Sequence, residues 1–384
     1  MKRMGCMVLV LVLILGVLPR QARAVELDLD GKSALLMDVA TGTILYEKNA
    51  HEALAPASVT KVMTMLLIME AIDSGKIGWD DMVTASESAA AKGGSQIYLK
   101  VGETMSVSDM VKSIAVSSAN DCACAMAEHL AGSEVAFVDR MNARAKELGM
   151  NDTNFVNCTG LDDDPEAANH KTSAHDIAIM SRELLKNHPD IKKFTTIWMD
   201  TVRNGAFGLS NTNKLVRFYS GATGLKTGFT SGAGYCLSAS AEREGMELIA
   251  VVMGCNTSQK RTAACKAMLD YGFANFALVD PKPEQGLSVP VTLGKQKQVK
   301  ITMGQEGSLL IDKGQKNSVT TEIALEERVA APVSLGQKLG TMTVKAGEQV
   351  LSEIPLVAAE PVEKLSFWEV FVLILRRAAM AKDV

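Results

Sequence analysis

A short motif followed by a long apolar run constrains this chain more than any other feature. Pro56 begins the segment Pro-Ala-Ser-Val-Thr-Lys, and the largely apolar residues 62–69 come directly after it. Proline is favoured in the first turn of a helix, and Leu and Met are good helix formers. We therefore predict a helix over residues 57–72. Because its residues are apolar on most faces, we expect this helix to be buried in the core.

The same motif predicts chemistry as well as structure. Ser58 and Lys61 are three residues apart, which places them on one helix face with Cβ atoms roughly 5–6 Å apart. A serine hydroxyl becomes a good nucleophile only when a base takes its proton. A lysine amine can be that base if burial or nearby cations lower its pKa, and N–H groups at a helix start can stabilise an oxyanion. A four-residue pattern also occurs by chance, so this pair needs support from other motifs.

Length and charge limit the classes of protein to consider. The chain has 384 residues, 47% of them apolar, which is enough for a large core and suggests two domains. The formal net charge is −4 and no long basic block is present. We therefore expect no nucleic-acid partner.

The N-terminal residues have the pattern of a secretory signal peptide. Lys2 and Arg3 precede the apolar residues 7–18, and Ala22-Arg23-Ala24 has the small-x-small form of a cleavage site. We predict a signal peptide over residues 1–24 and an exported protein. The alternative is an uncleaved anchor, although the apolar run is shorter than the ~20 residues that span a bilayer.

The cysteines of the mature chain are even in number, which permits disulfides in an exported protein. Their apolar or small-residue contexts favour buried free thiols instead; they are Cys122, Cys124, Cys158, Cys236, Cys255 and Cys265. Because there is no C-x-x-C motif or His/Cys cluster in the sequence, we predict no metal and no cofactor.

Secondary-structure patterns divide the main part of the chain into strands and helices. We predict a hairpin from 33–39 and 43–47, strands at 235–241 and 247–253, and helices at 105–116, 121–130, 134–148, 173–186 and 258–276. Ser133 is placed to cap the helix that follows it, and Ser173 starts the next. Strands, a helical block, and strands again indicate an α/β (α+β) domain with an antiparallel sheet, over residues 25–279.

The last quarter of the sequence has a different character. After a linker at 280–284, several short β-type runs predict a small all-β domain over 284–358, without clustered groups that would do chemistry. Residues 363–380 are predicted to form an amphipathic helix, with Trp368 near one end and Arg376 and Arg377 at the other. This pattern suits an anchor lying in a membrane surface. The alternative is a terminal helix docked on the protein.

Three motifs stand in order along the chain. They are Ser58-x-x-Lys61, Ser118-x-Asn120 and Lys226-Thr227-Gly228. Together they resemble the S-x-x-K, S-x-N and K-T-G set of penicillin-recognising serine acyltransferases. Over residues 33–276 the chain most resembles the low-molecular-mass D-alanyl-D-alanine carboxypeptidases, the penicillin-binding protein 5-like family.

This resemblance implies a fold, a place and an activity. The family has a β-lactamase/transpeptidase-like catalytic domain, a small β-rich second domain and a C-terminal amphipathic anchor. Its members work on the extracytoplasmic face of the bacterial cytoplasmic membrane. They remove the terminal D-alanine from peptidoglycan stem peptides, and β-lactams inhibit them. Peptidoglycan and the membrane surface are thus the implied partners.

The resemblance also implies catalytic roles. Ser58 attacks the carbonyl of the penultimate D-alanine, and Lys61 is the base for acylation. Ser118 relays a proton to the leaving nitrogen, while Asn120 positions the substrate amide. Water then hydrolyses the acyl-enzyme. His170 and His175 raise the possibility of a Ser–His pair, but His175 stands near a helix start beside an aspartate, and we interpret it as structural.

Further residues are implied to bind the substrate. Lys226 helps to hold the substrate carboxylate and to keep Lys61 neutral, and Thr227 offers that carboxylate a hydroxyl. Gly228 leaves room for an extended peptide at the strand edge. The oxyanion hole is formed by the backbone N–H groups of Ser58 and Phe229. Arg261 either assists carboxylate binding or is a solvated arginine on the last helix of the domain.

Three other functions remain open at this stage. A D,D-endopeptidase that cuts crosslinks shares all three motifs. A class A β-lactamase shares them too, but it adds a glutamate in E-x-x-L-N, and here the segment from Glu166 to Asn169 lacks the leucine and is one residue short. A catalytically silent, membrane-associated sensor or scaffold would retain the fold without the chemistry.

Overall fold

A computed structural model of the protein describes residues 27–163, 165–305 and 307–380. The predicted signal peptide, residues 1–24, lies outside this described part. Residues 27–279 form the larger of two regions, which is built on an antiparallel sheet. The rest of the described chain forms a second, β-rich region and a terminal helix.

The strands of the larger region surround a helical block in the sequence. In chain order they are β1 (Ser33–Asp38), β2 (Ile44–Lys48), β3 (Met82–Thr84), β4 (Thr104–Ser106), β5 (Met199–Val202), β6 (Phe207–Ser210), β7 (Ala222–Thr230), β8 (Gly234–Arg243), β9 (Met246–Cys255) and β10 (Phe276–Val279). Five of them form one antiparallel sheet in the order β2-β1-β9-β8-β7, which places β7 at an edge. The predicted hairpin of β1 and β2 is confirmed.

The helices of this region cover both faces of the sheet. They are α1 (Lys61–Asp73), α2 (Glu87–Ala90), α3 (Val107–Ser117), α4 (Asn120–Ala131), α5 (Glu134–Glu147), α6 (Ala174–Asn187), α7 (Lys192–Thr195), α8 (Leu215–Phe218) and α9 (Ser258–Asn275). The helical block, with α1 at its centre, packs on one face, and α9 packs on the other. Apolar side chains on both faces of β1 are therefore buried. This is the α/β architecture with an antiparallel sheet that the sequence predicts.

Local sequence signals set several helix ends. The Ser133 hydroxyl accepts a hydrogen bond from Ala136 N at 3.1 Å, and the Ser173 hydroxyl accepts one from Asp176 N at 3.1 Å. Ser133 thus caps its helix as predicted, and Ser173 caps the helix that was predicted to start there. The predicted helix over 57–72 differs in its first turn, because residues Ala57–Thr60 form a 3₁₀ turn before α1 begins at Lys61. Ala57 has a left-handed φ of 49°, which does not fit an α-helical start.

The second region is the predicted all-β unit. Its strands are β11 (Ser288–Thr292), β12 (Gln298–Met303), β13 (Leu309–Asp312), β14 (Val319–Leu325), β15 (Val329–Ala330), β16 (Lys338–Ala346) and β17 (Gln349–Ala358). Six of them form a sheet in the order β14-β16-β17-β12-β11-β15. The exception, β13, pairs with β10 of the larger region. The predicted linker at 280–284 therefore does not separate the two regions completely.

The described part of the chain ends in α10 (Phe367–Met380), within the predicted anchor segment. The Ser366 hydroxyl accepts from Glu369 N, and the Glu369 carboxylate accepts from Ser366 N, a capping box that starts the helix. Phe367 is 76% exposed and Trp368 is 71% exposed, so these apolar side chains are not docked on the protein. In the described part of the chain, the helices are all too short or too polar to cross a membrane.

The cysteines of the described residues agree with the interpretation of buried free thiols. All six are buried and none is in a disulfide; they are Cys122, Cys124, Cys158, Cys236, Cys255 and Cys265. They contribute to the core as small apolar side chains.

Candidate active site

The first motif brings an amine and a hydroxyl into direct contact. Lys61 Nζ donates a hydrogen bond to Ser58 Oγ at 3.0 Å and another to the carbonyl of Thr159 at 2.8 Å. The Lys61 side chain is completely buried, while Ser58 is half-buried. The amine is therefore within proton-transfer distance of a hydroxyl that a bound molecule can reach.

The environment of Lys61 favours its neutral form. Burial lowers the pKa of Lys61 from 10.5 to about 7, and the neighbouring Cys158 and Asp121 oppose this by smaller amounts. A large share of Lys61 side chains is thus unprotonated near neutral pH. The neutral amine has a lone pair that can accept the proton of Ser58.

Two glycines allow other parts of the chain to press against the turn that contains Ser58. A Cβ atom on Gly160 would lie 1.9 Å from the Ala57 carbonyl oxygen, and Gly160 has a φ of 80°. A Cβ atom on Gly228 would lie 2.6 Å from the Pro56 carbonyl oxygen and 3.1 Å from Ser58 N. Only glycine permits both approaches. Packing on two sides holds the turn in its uncommon left-handed conformation at Ala57.

A buried histidine supports the same turn. The Thr60 hydroxyl donates to the Ala57 carbonyl at 2.8 Å and lies 2.8 Å from His170 Nε2. Since His170 Nδ1 accepts from Val156 N at 3.1 Å, its Nε2 carries the hydrogen and donates to Thr60. Burial, with the positive charge of Lys61, lowers the pKa of His170 to about 4, so the ring is neutral. His170 therefore contacts the turn through Thr60 and forms no direct hydrogen bond with Ser58.

The second motif forms the tight turn between α3 and α4. Ser118 has a left-handed φ of 63°, and Asn120 N donates to Ser95 O at 2.7 Å. The Asn120 side-chain Nδ2 donates to Gly93 O at 2.8 Å. Ser118 Oγ and Asn120 Oδ1 are buried and have no hydrogen-bond partner within the described part of the chain. A buried polar atom without a partner costs about 1–3 kcal/mol, and a bound ligand can remove this cost.

The loop beneath Asn120 is held by a residue that sequence reasoning did not single out. The buried Asp121 carboxylate accepts hydrogen bonds from Ile97 N at 3.1 Å and from Leu99 N at 3.0 Å. These bonds fix the segment that also supplies the Asn120 partners. Only its place next to Asn120 in the sequence hints at this role.

The third motif lies on the edge strand β7. Lys226 is buried and its Nζ donates to Thr227 O at 3.0 Å. Burial lowers the pKa of Lys226 well below its usual value, and the charges of Lys61 and Arg261 lower it further. Burial is the first cause of the low pKa of both lysines. Burial, rather than the expected charge of Lys226, therefore accounts for the low pKa of Lys61.

Hydrogen bonds tie the second and third motifs together. The Thr227 hydroxyl donates to the Thr212 hydroxyl at 2.6 Å, and Thr212 N donates to Val116 O at 3.2 Å. Val116 belongs to the last turn of α3, two residues before Ser118. Because Gly228 lies against the Ser58 turn, all three motifs meet in one place. Thr212 is a further missed residue, and no local pattern marks it.

Arg261 is part of this structure and not a solvated arginine. It is 6% exposed, and its NH1 donates to Gly228 O at 3.1 Å and to Cys236 O at 3.3 Å. Its Nε is buried and has no hydrogen-bond partner among the described residues. Phe229, the next residue on β7, is 53% exposed and stacks on Tyr235 with ring centroids 4.2 Å apart. A cation and an open aromatic face thus flank Gly228.

A cavity of about 260 Å³ opens beside the carbonyl that accepts from Lys61. Its lining includes Thr159, Asn157 and the ion pair of Lys92 with Glu134, whose atoms are 2.6 Å apart. Glu166, the glutamate considered for a β-lactamase, also lines this cavity and is exposed. The cavity reaches the described site only through Thr159, since its lining includes no residue of the three motifs.

Comparison with known proteins identifies two family models along the chain. Residues 20–257 match the model of D-alanyl-D-alanine carboxypeptidase, and residues 281–364 match that of the penicillin-binding protein 5 C-terminal domain. The D-alanyl-D-alanine carboxypeptidase DacF of Bacillus subtilis is 44% identical over 351 residues, covering 90% of this chain and 89% of that protein.

Solved structures are also similar to this chain in fold. Penicillin-binding protein 5 from Haemophilus influenzae has a TM-score of 0.75 and 31% identity, covering 88% of this chain and 99% of that one. Penicillin-binding protein D2 from Listeria monocytogenes, solved in an ampicillin-bound form, has a TM-score of 0.59 and 33% identity, covering 65% of this chain and 100% of that one.

Proposed function

Because the chain belongs to the D-alanyl-D-alanine carboxypeptidase family, we propose that it removes the terminal D-alanine from peptidoglycan pentapeptides through an acyl-enzyme on Ser58. Family membership makes it a serine peptidase, and two domains of the family's type are present. The observation that carries the mechanism is the 3.0 Å contact from the buried Lys61 amine to the Ser58 hydroxyl.

Acylation begins when neutral Lys61 takes the proton of Ser58 Oγ. The oxygen attacks the carbonyl of the penultimate D-alanine, and the backbone N–H groups of Ser58 and Phe229 stabilise the oxyanion. When the C–N bond breaks, the proton returns from Lys61 through Ser118 Oγ to the leaving nitrogen. Free D-alanine departs, and the peptide remains as an ester on Ser58. Water then cleaves the ester and restores the hydroxyl.

The substrate carboxylate is recognised by the cations at β7. Lys226 and Arg261 supply positive charge, and Thr227 supplies a hydroxyl. A bound carboxylate favours the protonated form of Lys226, whose pKa is low without it. Asn120 positions the peptide through its unpaired Oδ1, and β7 offers its edge to an extended peptide.

β-Lactams acylate the same serine in this proposal, and the adduct is long-lived. A class A β-lactamase requires a glutamate base that is held next to the acyl-serine. Glu166 stands on the exposed turn Pro165–Asn169 instead. A silent scaffold has no need for a lysine that is buried in contact with a serine. An endopeptidase uses the same groups and is distinguished by its products.

Product analysis tests this proposal directly. Purified protein is incubated with a pentapeptide that ends in D-Ala-D-Ala, with its L-Ala-terminated isomer, and with a crosslinked dimer. We expect free D-alanine from the first substrate only. Release of uncrosslinked monomer from the dimer, without trimming of the pentapeptide, would instead identify an endopeptidase. Rapid multiple turnover of penicillin would indicate a β-lactamase.

The rate of acylation is expected to rise with pH through a midpoint near the pKa of Lys61, which burial places at about 7. Neutral Lys61 is the reactive form, so protonation below this pKa slows the reaction by about tenfold per pH unit. The measurement is the second-order rate constant of acylation by a chromogenic β-lactam across the stable pH range. A flat profile between about pH 5 and 9 would exclude Lys61 as the base.

We also place the protein on the extracytoplasmic face of the cytoplasmic membrane, held there by α10. Its exposed apolar residues include Phe371, Ile374 and Leu375, and Arg376 is exposed near the end of the described side chains. A helix of this composition binds a membrane surface through its apolar residues and anionic lipids through its cations. The capping box at Ser366 starts the helix without help from a neighbour.

Replacing Trp368 and Phe371 together by glutamate is expected to remove most binding to vesicles of phosphatidylethanolamine and phosphatidylglycerol. Each exposed aromatic contributes buried apolar area in the membrane, and each new charge opposes insertion. Flotation of the purified protein with the vesicles measures the bound fraction. Leu335→Glu is the control, because Leu335 is 68% exposed but lies outside α10. Equal flotation of the double variant and the unchanged protein would reject this anchor.

A further inference from the structure

Three potential metal ligands meet on the surface of the larger region, away from the Ser58 site. His51 follows β2, Asp152 follows α5, and His175 lies in the first turn of α6. One ligand atom from each residue lies within 4.8 Å of the other two. The two imidazole rings are in contact, with centroids 4.3 Å apart. We infer that these three residues bind a divalent transition-metal ion of the zinc type.

One of the two imidazoles, that of His175, has a separate carboxylate that orients it. His175 Nδ1 lies 3.1 Å from the Asp176 carboxylate and donates its hydrogen to it. The lone pair of the ring is therefore on Nε2. In metal sites, the ring nitrogen of a ligating histidine that does not bind the metal usually donates to a carboxylate in this way. The other oxygen of the buried Asp176 accepts from Asp152 N at 2.8 Å and from the Thr153 hydroxyl at 2.8 Å. Asp176 therefore orients the His175 ring and holds the backbone of Asp152.

The third ligand, His51, forms a hydrogen bond with Asp152, and a metal ion can replace the proton of this bond. His51 Nδ1 lies 2.8 Å from Asp152 Oδ2. A metal ion between them takes the place of the Nδ1 proton, and the neutral ring then carries its hydrogen on Nε2. Ligand atoms around zinc are roughly 3.4 Å apart, given bonds of about 2.0–2.1 Å. The 63% exposed His51 side chain can rotate to reach that spacing.

The donor set indicates the kind of ion. Two imidazoles and one carboxylate suit Zn²⁺, Co²⁺ or Ni²⁺, whereas Mg²⁺ and Ca²⁺ prefer oxygen ligands. Three protein ligands leave a fourth position to water. Because the three ligands come from distant parts of the chain, the sequence shows no metal motif, and none was predicted.

A second group of potential ligands provides a contrast. Glu70, Glu183 and His188 also lie close together. The guanidinium of Arg144 donates to Glu70 at 2.7 Å and to Glu183 at 2.7 Å, so a cation of the protein already neutralises these carboxylates. We assign no metal to this second group.

The proposed ion would hold in place the segment from His51 to Ser58, which precedes the nucleophile. Between His51 and Ser58, Leu54 exchanges two backbone hydrogen bonds with Thr172, at 2.8 and 2.9 Å. His175 N donates to Ala50 O at 3.0 Å. The ion adds a link between the same two segments. We therefore expect it to stabilise the fold while leaving the chemistry at Ser58 unchanged.

The test uses the full chain, without a histidine tag and stripped of metals by a chelator. We expect Zn²⁺ to bind as one ion per chain in calorimetry and to raise Tm by a few degrees. Co²⁺ should give the visible absorption of a tetrahedral nitrogen–oxygen site. Mg²⁺ should neither bind in calorimetry nor raise Tm. These measurements do not depend on the proposed peptidase activity.

Two conservative variants locate the ion. His51→Gln and Asp152→Asn should each lose the Zn²⁺-induced Tm shift and weaken binding at least tenfold. His129→Gln is the matched control, because His129 is exposed and belongs to neither group, and it should bind Zn²⁺ normally. Binding that survives both variants, or the lack of any Zn²⁺ heat and Co²⁺ spectrum at millimolar ion, would overturn the inference.

Discussion

Ser58→Ala is expected to abolish both penicillin acylation and pentapeptide trimming. The variant lacks the oxygen that forms the acyl bond, and loss of a serine nucleophile lowers kcat on the order of a millionfold. The Lys61 amine remains, but the hydroxyl that it contacts at 3.0 Å is gone. Intact-mass spectrometry after exposure to penicillin should show no adduct. Release of D-alanine should fall to the level of the buffer.

A control serine separates this effect from a general loss of fold. The Ser74 hydroxyl donates to Ala71 O at 3.2 Å, at the other end of α1. Ser74→Ala should therefore form the penicillin adduct at the rate of the unchanged protein. Trimming by Ser58→Ala at that same rate would refute the acyl-enzyme mechanism.

Lys61→Met is expected to lower the acylation rate by roughly 10²–10⁴-fold while keeping or raising Tm. The rate falls because no base remains next to Ser58. Stability is kept because Met has a similar length and avoids burying an amine, whose desolvation already lowers the pKa of Lys61 to about 7. Stopped-flow acylation by a chromogenic β-lactam and scanning calorimetry measure the two quantities.

The opposite signs of the two effects make this prediction specific. A lysine that only supports the fold would lose stability and activity together. Lys193→Met is the control, because Lys193 is exposed on the surface and its 2.7 Å ion pair is with Asp190. Lys193→Met should change neither the acylation rate nor Tm. Acylation by Lys61→Met at the unchanged rate at neutral pH would assign the base to another group.

Predictions from the sequence succeed where the signal is local. Ser133 and Ser173 cap their helices, and such a cap involves only the serine hydroxyl and the backbone N–H three residues later. The three motifs could also be found, since each is contained in a few residues. Their meeting in space was an expectation from family resemblance, not from the residues alone.

The rest of the site depends on contacts between distant segments. Thr159 and Gly160 have no motif of their own, and their importance appears only because they contact Lys61 and Ala57. Thr212 is similar, since only the fold places its hydroxyl against Thr227. The β10–β13 pair could not be predicted either, because four-residue strands acquire a partner only through tertiary structure.

The position of Thr159 has a consequence for how this protein matures. The carbonyl that holds Lys61 comes from a residue 98 positions later in the chain, and Gly228, which packs on the same turn, comes later still. Contacts of such long sequence separation form late, after loop closure has been achieved. A partly folded chain therefore contains the serine without the geometry that activates it. Labelling by a fluorescent penicillin would then count only molecules that have completed their folding, and newly synthesised chains would be silent towards the antibiotic.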